Sequence, residues 1–469
     1  MLSVLILIPF VCGLVVFLPM ERRLRVRILC AVSLVHAMIV ASFWKVNPPS
    51  EINGFLMLDA IGLIVLSIVS FLFLSVSVYM VGYFHHEQRR TRTFVACLLL
   101  LLSTMTLVSV SRHMGLLWVA IEATTLFSAP LISFHRNPES LEATWKYLLV
   151  CSVGIALALL GTFFLAIAAH DVHTLLLPVL LSGAKMLSVN WLKLSVIFLL
   201  VGYGCKMGLA PMHSWKPEAY GQAPGMIAAL MSGALTQCSF LALIRVSQIC
   251  AKTGLSEFYA SILIVTGALS LVAPAIFILG EGNIKRAFAY SSVEHMGILV
   301  LGLGLGPVGI FGAFFHMINN AVAKVAAFLA AGSLAQKYGS SRATEVKGVI
   351  HLYPVTGVLL IAGFLAGTGM FPFATFHSEL MILNAAVLSG HYLLALVYLG
   401  GILVMFIGVL RIVLEMALGK PTQPVLPAKE NFLMNAAIAV AMIISLGLGL
   451  WMPDILTKVL NDAVALVRI

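Results

Sequence analysis

Gly204-Cys205-Lys206-Met207-Gly208-Leu209-Ala210-Pro211-Met212-His213-Ser214-Trp215 is the stretch on which the reading of this chain turns. It closes an apolar run near 194–214 that is long enough to cross a bilayer, since a spanning helix needs about 20 apolar residues. Yet it contains a lysine, two glycines and a proline. Proline removes a backbone donor and clashes with the preceding turn, so the helix is predicted to break here. A charge at this depth costs several kcal/mol and by default marks function. A second interrupted run lies near 350–384 and carries Gly363, Gly367, Gly369 and Pro372, followed by Phe376-His377-Ser378-Glu379-Leu380.

Outward from these two breaks, the chain of 469 residues is 61% hydrophobic and only 10% charged. A soluble domain carries roughly 25% charged residues, so lipid is the expected solvent. The expected fold is an all-α membrane protein of about fourteen transmembrane helices, with the seventh and twelfth broken. Spans 4–8 and 9–13, approximately 93–247 and 257–416, are read as an inverted five-helix repeat, because five is odd and interrupted helices recur at matching positions. No linker or charge block divides 1–469, which is read as a single transmembrane domain.

The formal charge of +10 does not point to nucleic acid, because the basic residues sit in short gaps between apolar runs and form no patch with interleaved aromatics. With the N-terminus outside, alternate gaps hold 18 of the 28 Lys and Arg, among them Arg22, Arg23, Arg89, Arg90, Arg92, Lys216 and Lys285, against 7 on the opposite side. That asymmetry predicts a multi-pass protein of a prokaryotic plasma (inner) membrane with both termini outside. The seven cysteines are dispersed, with no CxxC. Iron–sulfur and zinc sites need clustered ligands, so no cofactor and no metal are expected on this chain.

The charges inside the spans form the candidate site. Glu122 lies in the fifth span, Lys206 in the broken seventh, Lys324 in the eleventh and Glu379 after the second break. His316 and Asn320 precede Lys324 by two turns and one turn, on the same helical face. Glu142 with Lys146, His213, Glu294 and His295 are secondary candidates, of which Glu142 and Lys146 also read as an ordinary i,i+4 pair. Arg245 lies near the outer end of its span and is expected to snorkel to the interface. Burial disfavours a lysine's ammonium form and a nearby carboxylate favours it. A displacement of Glu122 relative to Lys206 would therefore load or unload a proton. The expected chemistry is a proton relay, without a catalytic residue.

At these residues the chain resembles the antiporter-like membrane subunits shared by respiratory complex I, Mrp-type sodium/proton antiporters and group 4 membrane-bound nickel–iron hydrogenases. The resemblance rests on Gly204-Cys205-Lys206 with Pro211-Met212-His213-Ser214-Trp215, on the run from Asn283 to Ser292, and on Ala323-Lys324 leading into Phe328-Leu329-Ala330-Ala331-Gly332. The runs from Ala120 to Leu126 and from Ser140 to Tyr147 are similar to the hydrogenase-4 F-type branch, as is Ser291-Ser292-Val293-Glu294 with Met296-Gly297. The resemblance implies an entry pair at Glu122 and Lys206, a connecting lysine at Lys324, a channel histidine at His316 and a terminal acid at Glu379. Asn320 departs from a frequent histidine, Lys216 and Tyr220 from a usual Leu and His, and Asn283 from a usual Asp.

The implied function is proton translocation as a non-redox subunit of a hydrogenase-4-like or related oxidoreductase complex. Implied partners are other antiporter-like membrane subunits, a quinone-subunit-like membrane anchor, peripheral nickel–iron or iron–sulfur subunits, protons or sodium, and the lipid bilayer. The alternatives are an Mrp-type sodium/proton antiporter subunit without a redox arm and a non-pumping membrane scaffold.

Overall fold

A computed structural model describes residues 1–84, 91–420 and 429–467. Arg89, Arg90, Arg468 and Ile469, on which part of the topology expectation rests, lie outside the described residues. The helices of eight or more residues are α1 (Leu2–Val15), α2 (Arg22–Phe43), α3 (Ala60–Tyr83), α4 (Thr91–Val110), α5 (Met114–Ile132), α6 (Pro138–Ala168), α7 (Val189–Met207) and α8 (Trp215–Gln222). They continue with α9 (Gly225–Thr253), α10 (Ser256–Ile278), α11 (Ile284–Gly304), α12 (Gly306–Tyr338), α13 (Pro354–Gly367), α14 (Ala374–Leu388), α15 (Tyr392–Leu418), α16 (Phe432–Leu450) and α17 (Asp454–Val467). Among the described residues the only β-type pairings are isolated bridges.

Among the described residues, twelve helices are long and apolar enough to cross a membrane, and α1, α13 and α14 are shorter apolar helices. The two short helices α13 and α14 occupy the expected twelfth span, one on each side of its break. An all-helical architecture is what a bilayer demands, since backbone polar groups must be satisfied within each segment. Helix starts are fixed locally. Asp59 caps α3 through Gly62 N at 2.8 Å, Asn137 caps α6 ahead of Pro138, and Asn283 caps α11 through Lys285 N and Arg286 N. Asparagine thus fills the capping role at position 283 as aspartate would.

Burial separates core helices from the rim. The most apolar windows of α9, α11 and α12 are 100%, 94% and 94% buried, whereas those of α2 and α10 are 33% buried. The rim helices turn apolar stripes outward. On α15, Leu393, Leu396, Leu403, Ile407 and Leu414 are all exposed at spacings that keep them on one side, as lipid contact requires. Where α9 crosses α12 the backbones touch through glycine: a Cβ on Gly225 would come within 2.5 Å of Gly332 Cα.

Two sequence expectations change, and one further helix appears. Arg245 does not snorkel; it is 1% exposed and grips Asp59 with two bonds, Nη1–Oδ2 at 2.7 Å and Nη2–Oδ1 at 2.9 Å. Arg112 joins the same carboxylate at 2.9 Å. The cluster ties the ends of α3, α4 and α9 together, and removing one partner of such a buried ion pair costs about 3–5 kcal/mol. Lys216, read as an inner-gap residue, is fully buried. The segment after the last span also forms a helix, α17, whose Leu456, Leu460, Ala463, Val464 and Val467 are buried against α3, α9 and α12.

Candidate functional site

The first break ends α7 at Met207 because Gly208 adopts φ +83°, a left-handed conformation that side chains disfavour. Lys206 therefore lies in the last turn of α7 and is completely buried. Its Nζ donates to Thr125 Oγ1 at 2.8 Å and to the Tyr147 hydroxyl at 2.6 Å, and it lies 4.7 Å from the Tyr147 ring centroid. Thr125 in turn donates to Glu122 Oε2 at 3.2 Å.

Glu122 and Lys206 are thus joined through a hydroxyl. No direct ion pair between them occurs within 4.0 Å among the described residues. The physical reason is register on α5. Thr125 is one turn beyond Glu122 and faces the lysine, whereas Glu122 turns toward the half-buried flank of the helix. A hydroxyl that accepts from an ammonium and donates to a carboxylate is competent to pass a proton between them.

Lys216, on α8 beyond the break, lays its side chain over Gly208: a Cβ there would meet the lysine Cδ at 2.7 Å. Its Nζ donates to Met207 O at 2.9 Å and approaches Ser292 O at 3.4 Å. Ser292 also receives Ser232 Oγ at 3.0 Å, and Ser232 lies in a π-helical turn of α9, Met231–Leu235. Lys216 therefore bridges the residue after Lys206 and the residue after Ser291. Ser291 Oγ accepts from Lys324 Nζ at 2.6 Å.

The second break gathers a different set. His295 on α11 and His316 on α12 meet Nδ1 to Nε2 at 2.9 Å, with rings stacked at 5.0 Å. His295 Nε2 bonds Gly367 O, the last residue of α13, at 2.8 Å. His316 Nδ1 bonds Ser378 Oγ on α14 at 2.9 Å. Glu379 Oε1 lies 3.7 Å from His295 Nδ1. Glu294 is buried with Oε1 unpaired, and so are both amide atoms of Asn320. The adjacent Asn319 instead donates to Ala374 O at 3.0 Å.

Residues 111–405 match the family described as NADH:quinone oxidoreductase/Mrp antiporter, TM. The chain belongs to this family. The Hydrogenase-4 component F homolog of Methylacidiphilum infernorum (isolate V4) is 30% identical over 403 residues, covering 83% of this chain and 84% of that one. A chain of the membrane-bound sulfane sulfur reductase, an archaeal respiratory membrane complex, superposes with a TM-score of 0.90 at 20% identity, covering 100% of this chain and 98% of that one. A chain of the Mrp complex from Dietzia sp. DQ12-45-1b gives 0.89 at 19% identity, covering 99% and 97%. At such identities the two structures establish the fold alone. This is an antiporter-like, multi-pass membrane subunit, and its relatives are subunits of multi-subunit complexes.

Within the antiporter-like subunit, the site residues expected from sequence separate into two groups. Glu122 and Lys206 belong to the first break. Lys324, Glu379, His316, His295, Glu294 and Asn320 surround the second. Glu142 and Lys146 form a surface pair at 2.8 Å, and Lys146 also reaches Glu218 on α8 at 2.7 Å, so they tie α6 to α8 at an exposed surface of the chain. His213 lies at the first break with Nδ1 unpaired, and no hydrogen bond brings it to Lys206. Sequence reasoning missed Thr125, Lys216, Ser291 and Ser378 as contacts. Thr125 carried a usable signal, its i+3 spacing from Glu122. Lys216 carried only its departure from the family's usual leucine.

Proposed function

We propose that this antiporter-like subunit moves protons laterally through its buried core, as a membrane component of a hydrogenase-4-like or related redox-driven complex. The observation that carries the reading is the succession of polar groups from the half-buried Glu122 through the buried Thr125, Lys206, Lys216, Ser291 and Lys324 to Glu379. Each charge there is costly in a bilayer unless it works or is paired. Asn320, between His316 and Lys324 on α12, offers a donor and an acceptor for water that would carry a proton along that face.

The nitrogen-rich lining favours protons over sodium. Hard cations are held by oxygen ligands, whereas three lysines and two histidines dominate this core. The seven cysteines are free and dispersed. Electron chemistry then belongs to partner subunits, and the family relationship points to other antiporter-like subunits, a quinone-subunit-like anchor and peripheral nickel–iron or iron–sulfur subunits. The repeats, the single-domain organisation and both termini outside belong to the same proposal.

The test is proton uptake by vesicles containing the assembled complex. Uptake driven by an electron donor and indifferent to sodium supports the reading. Transport that needs sodium and ignores the donor points to the antiporter without a redox arm. Vesicles with no donor-driven and no sodium-driven uptake point to a scaffold.

A further inference from the structure

The outer hydrogen bonds of the histidine pair have a consequence for what lies between the rings. The Gly367 carbonyl can only accept, so His295 keeps its proton on Nε2. Ser378 Oγ donates to Thr375 O at 2.9 Å and also lies 3.4 Å from the Asn319 amide donor. With its own hydrogen committed, Ser378 is an acceptor for His316, whose proton then sits on Nδ1. His295 Nδ1 and His316 Nε2 are left as two lone pairs facing each other at 2.9 Å. A cation between them resolves the repulsion, and that cation is either a proton or a metal ion.

The third group is the Glu379 carboxylate. Its nearer oxygen is 3.7 Å from His295 Nδ1, and one ligand atom from each of His295, His316 and Glu379 falls within 4.8 Å of the others. In a tetrahedral site with metal–nitrogen bonds of about 2.0–2.1 Å, ligand atoms stand about 3.3 Å apart. Two of the three separations, 2.9 and 3.7 Å, lie on either side of that value, and the third is within 4.8 Å, so side-chain adjustments chiefly of Glu379 toward His316 would close the site. Each imidazole already donates its other N–H to a fixed oxygen, the outer support that metal-ligating histidines use. Two imidazoles and one carboxylate select a borderline-soft divalent ion over sodium or magnesium.

We propose that His295, His316 and Glu379 form a three-ligand site for a zinc-class divalent metal, with a fourth position open to water. A bound dication would engage the Glu379 carboxylate at the end of the relay proposed above. In that reading, on which this clause rests, occupancy arrests transport.

The test uses the full chain in detergent, with His85, His86, His170 and His173 changed to Asn to remove the histidine pairs elsewhere in the sequence. It is titrated with Co2+, whose visible absorbance reports tetrahedral geometry. One Co2+ per chain with a tetrahedral band, displaced by Zn2+, is expected. The band should vanish in His295→Asn and in His316→Asn. Ser378→Ala, which keeps all three ligands and removes only an outer partner, should weaken binding about 10- to 100-fold. Absence of a tetrahedral band at millimolar Co2+, or a band that survives both histidine changes, overturns the proposal. The binding readout needs no pumping. Binding as described with intact transport in Lys324→Ala would keep the metal site and remove the relay. No binding with Lys324-dependent transport would do the reverse.

Discussion

The two broken spans share a backbone device and differ in their electrostatics. At each, an apolar helix stops inside the core and a second short helix resumes after a proline. Around the first, the charged groups facing inward are Lys206 and Lys216, and each is held by hydroxyls or backbone carbonyls. The carboxylates of that half, Glu122, Glu142 and Glu218, lie on its half-buried or exposed side. Around the second, Lys324 is buried together with Glu294, Glu379 and a histidine pair. One half is a cationic core open toward its flank; the other is a closed nest of acids and imidazoles. In the proposed relay this difference would give a proton a direction in which counter-charge increases, although both halves use the same interruption of a helix.

Removing the cation of the closed half is the most severe way to break this contrast. Lys324→Ala leaves Glu294 and Glu379 without a lysine and should reduce donor-driven proton uptake per assembled complex by well over tenfold. Assembly, read by co-purification of the partner subunits, should suffer less. Uptake at the wild-type rate would remove Lys324 from the path.

The open half is tested by a double-substitution cycle. Glu122→Gln and Lys206→Met should each abolish most coupled uptake, and the double should cost little more than either, because groups acting as a unit are non-additive. Thr125→Val sharpens the result. It removes the hydroxyl between the two charges at nearly constant volume and should slow uptake about tenfold, the equivalent of one lost hydrogen bond. Additive losses, or a silent Thr125→Val, would mean that the two charges work separately.

A smaller effect is expected at Lys216, which bridges the halves through backbone carbonyls and has no carboxylate partner among the described residues. Lys216→Met should lower uptake a few-fold while preserving assembly, because the methionine stem can still cover Gly208. A complete loss would make this lysine an obligatory carrier and blur the contrast between the halves.

The smallest effect concerns how the second break is held. The start of α13 is capped from a distance by Glu430, which accepts from Val355 N, Thr356 N and Asn435 Nδ2; the start of α7 has no side-chain cap. Burial of Glu430 favours its neutral form, but hydrogen bonds from Asn435 and Thr356 outweigh it and hold the carboxyl below its ordinary value. Its contribution is therefore fully present above the ordinary carboxylate range and is lost as pH falls through and below it. Glu430→Gln should lower Tm slightly at neutral pH, and the gap from wild type should close on acidification. An unchanged gap would show that the cap does not depend on charge.

The linear sequence determined the helical class, the run of apolar segments and the positions of the two breaks. In lipid each segment must satisfy its own backbone, and Gly208, Pro211, Gly369 and Pro372 interrupt that locally. It also made Lys206, Lys324 and Glu379 stand out, because a charge in an apolar run is conspicuous without any fold. Tertiary structure alone decided which groups meet. Asp59 and Arg245 are 186 residues apart, and His295 finds Gly367 across 72. Lys216 looked like a loop residue until α8 packed against α6 and α11. Helical periodicity assigns a residue to a face, but the neighbour of that face is set by how separate helices pack, and no local pattern encodes that choice.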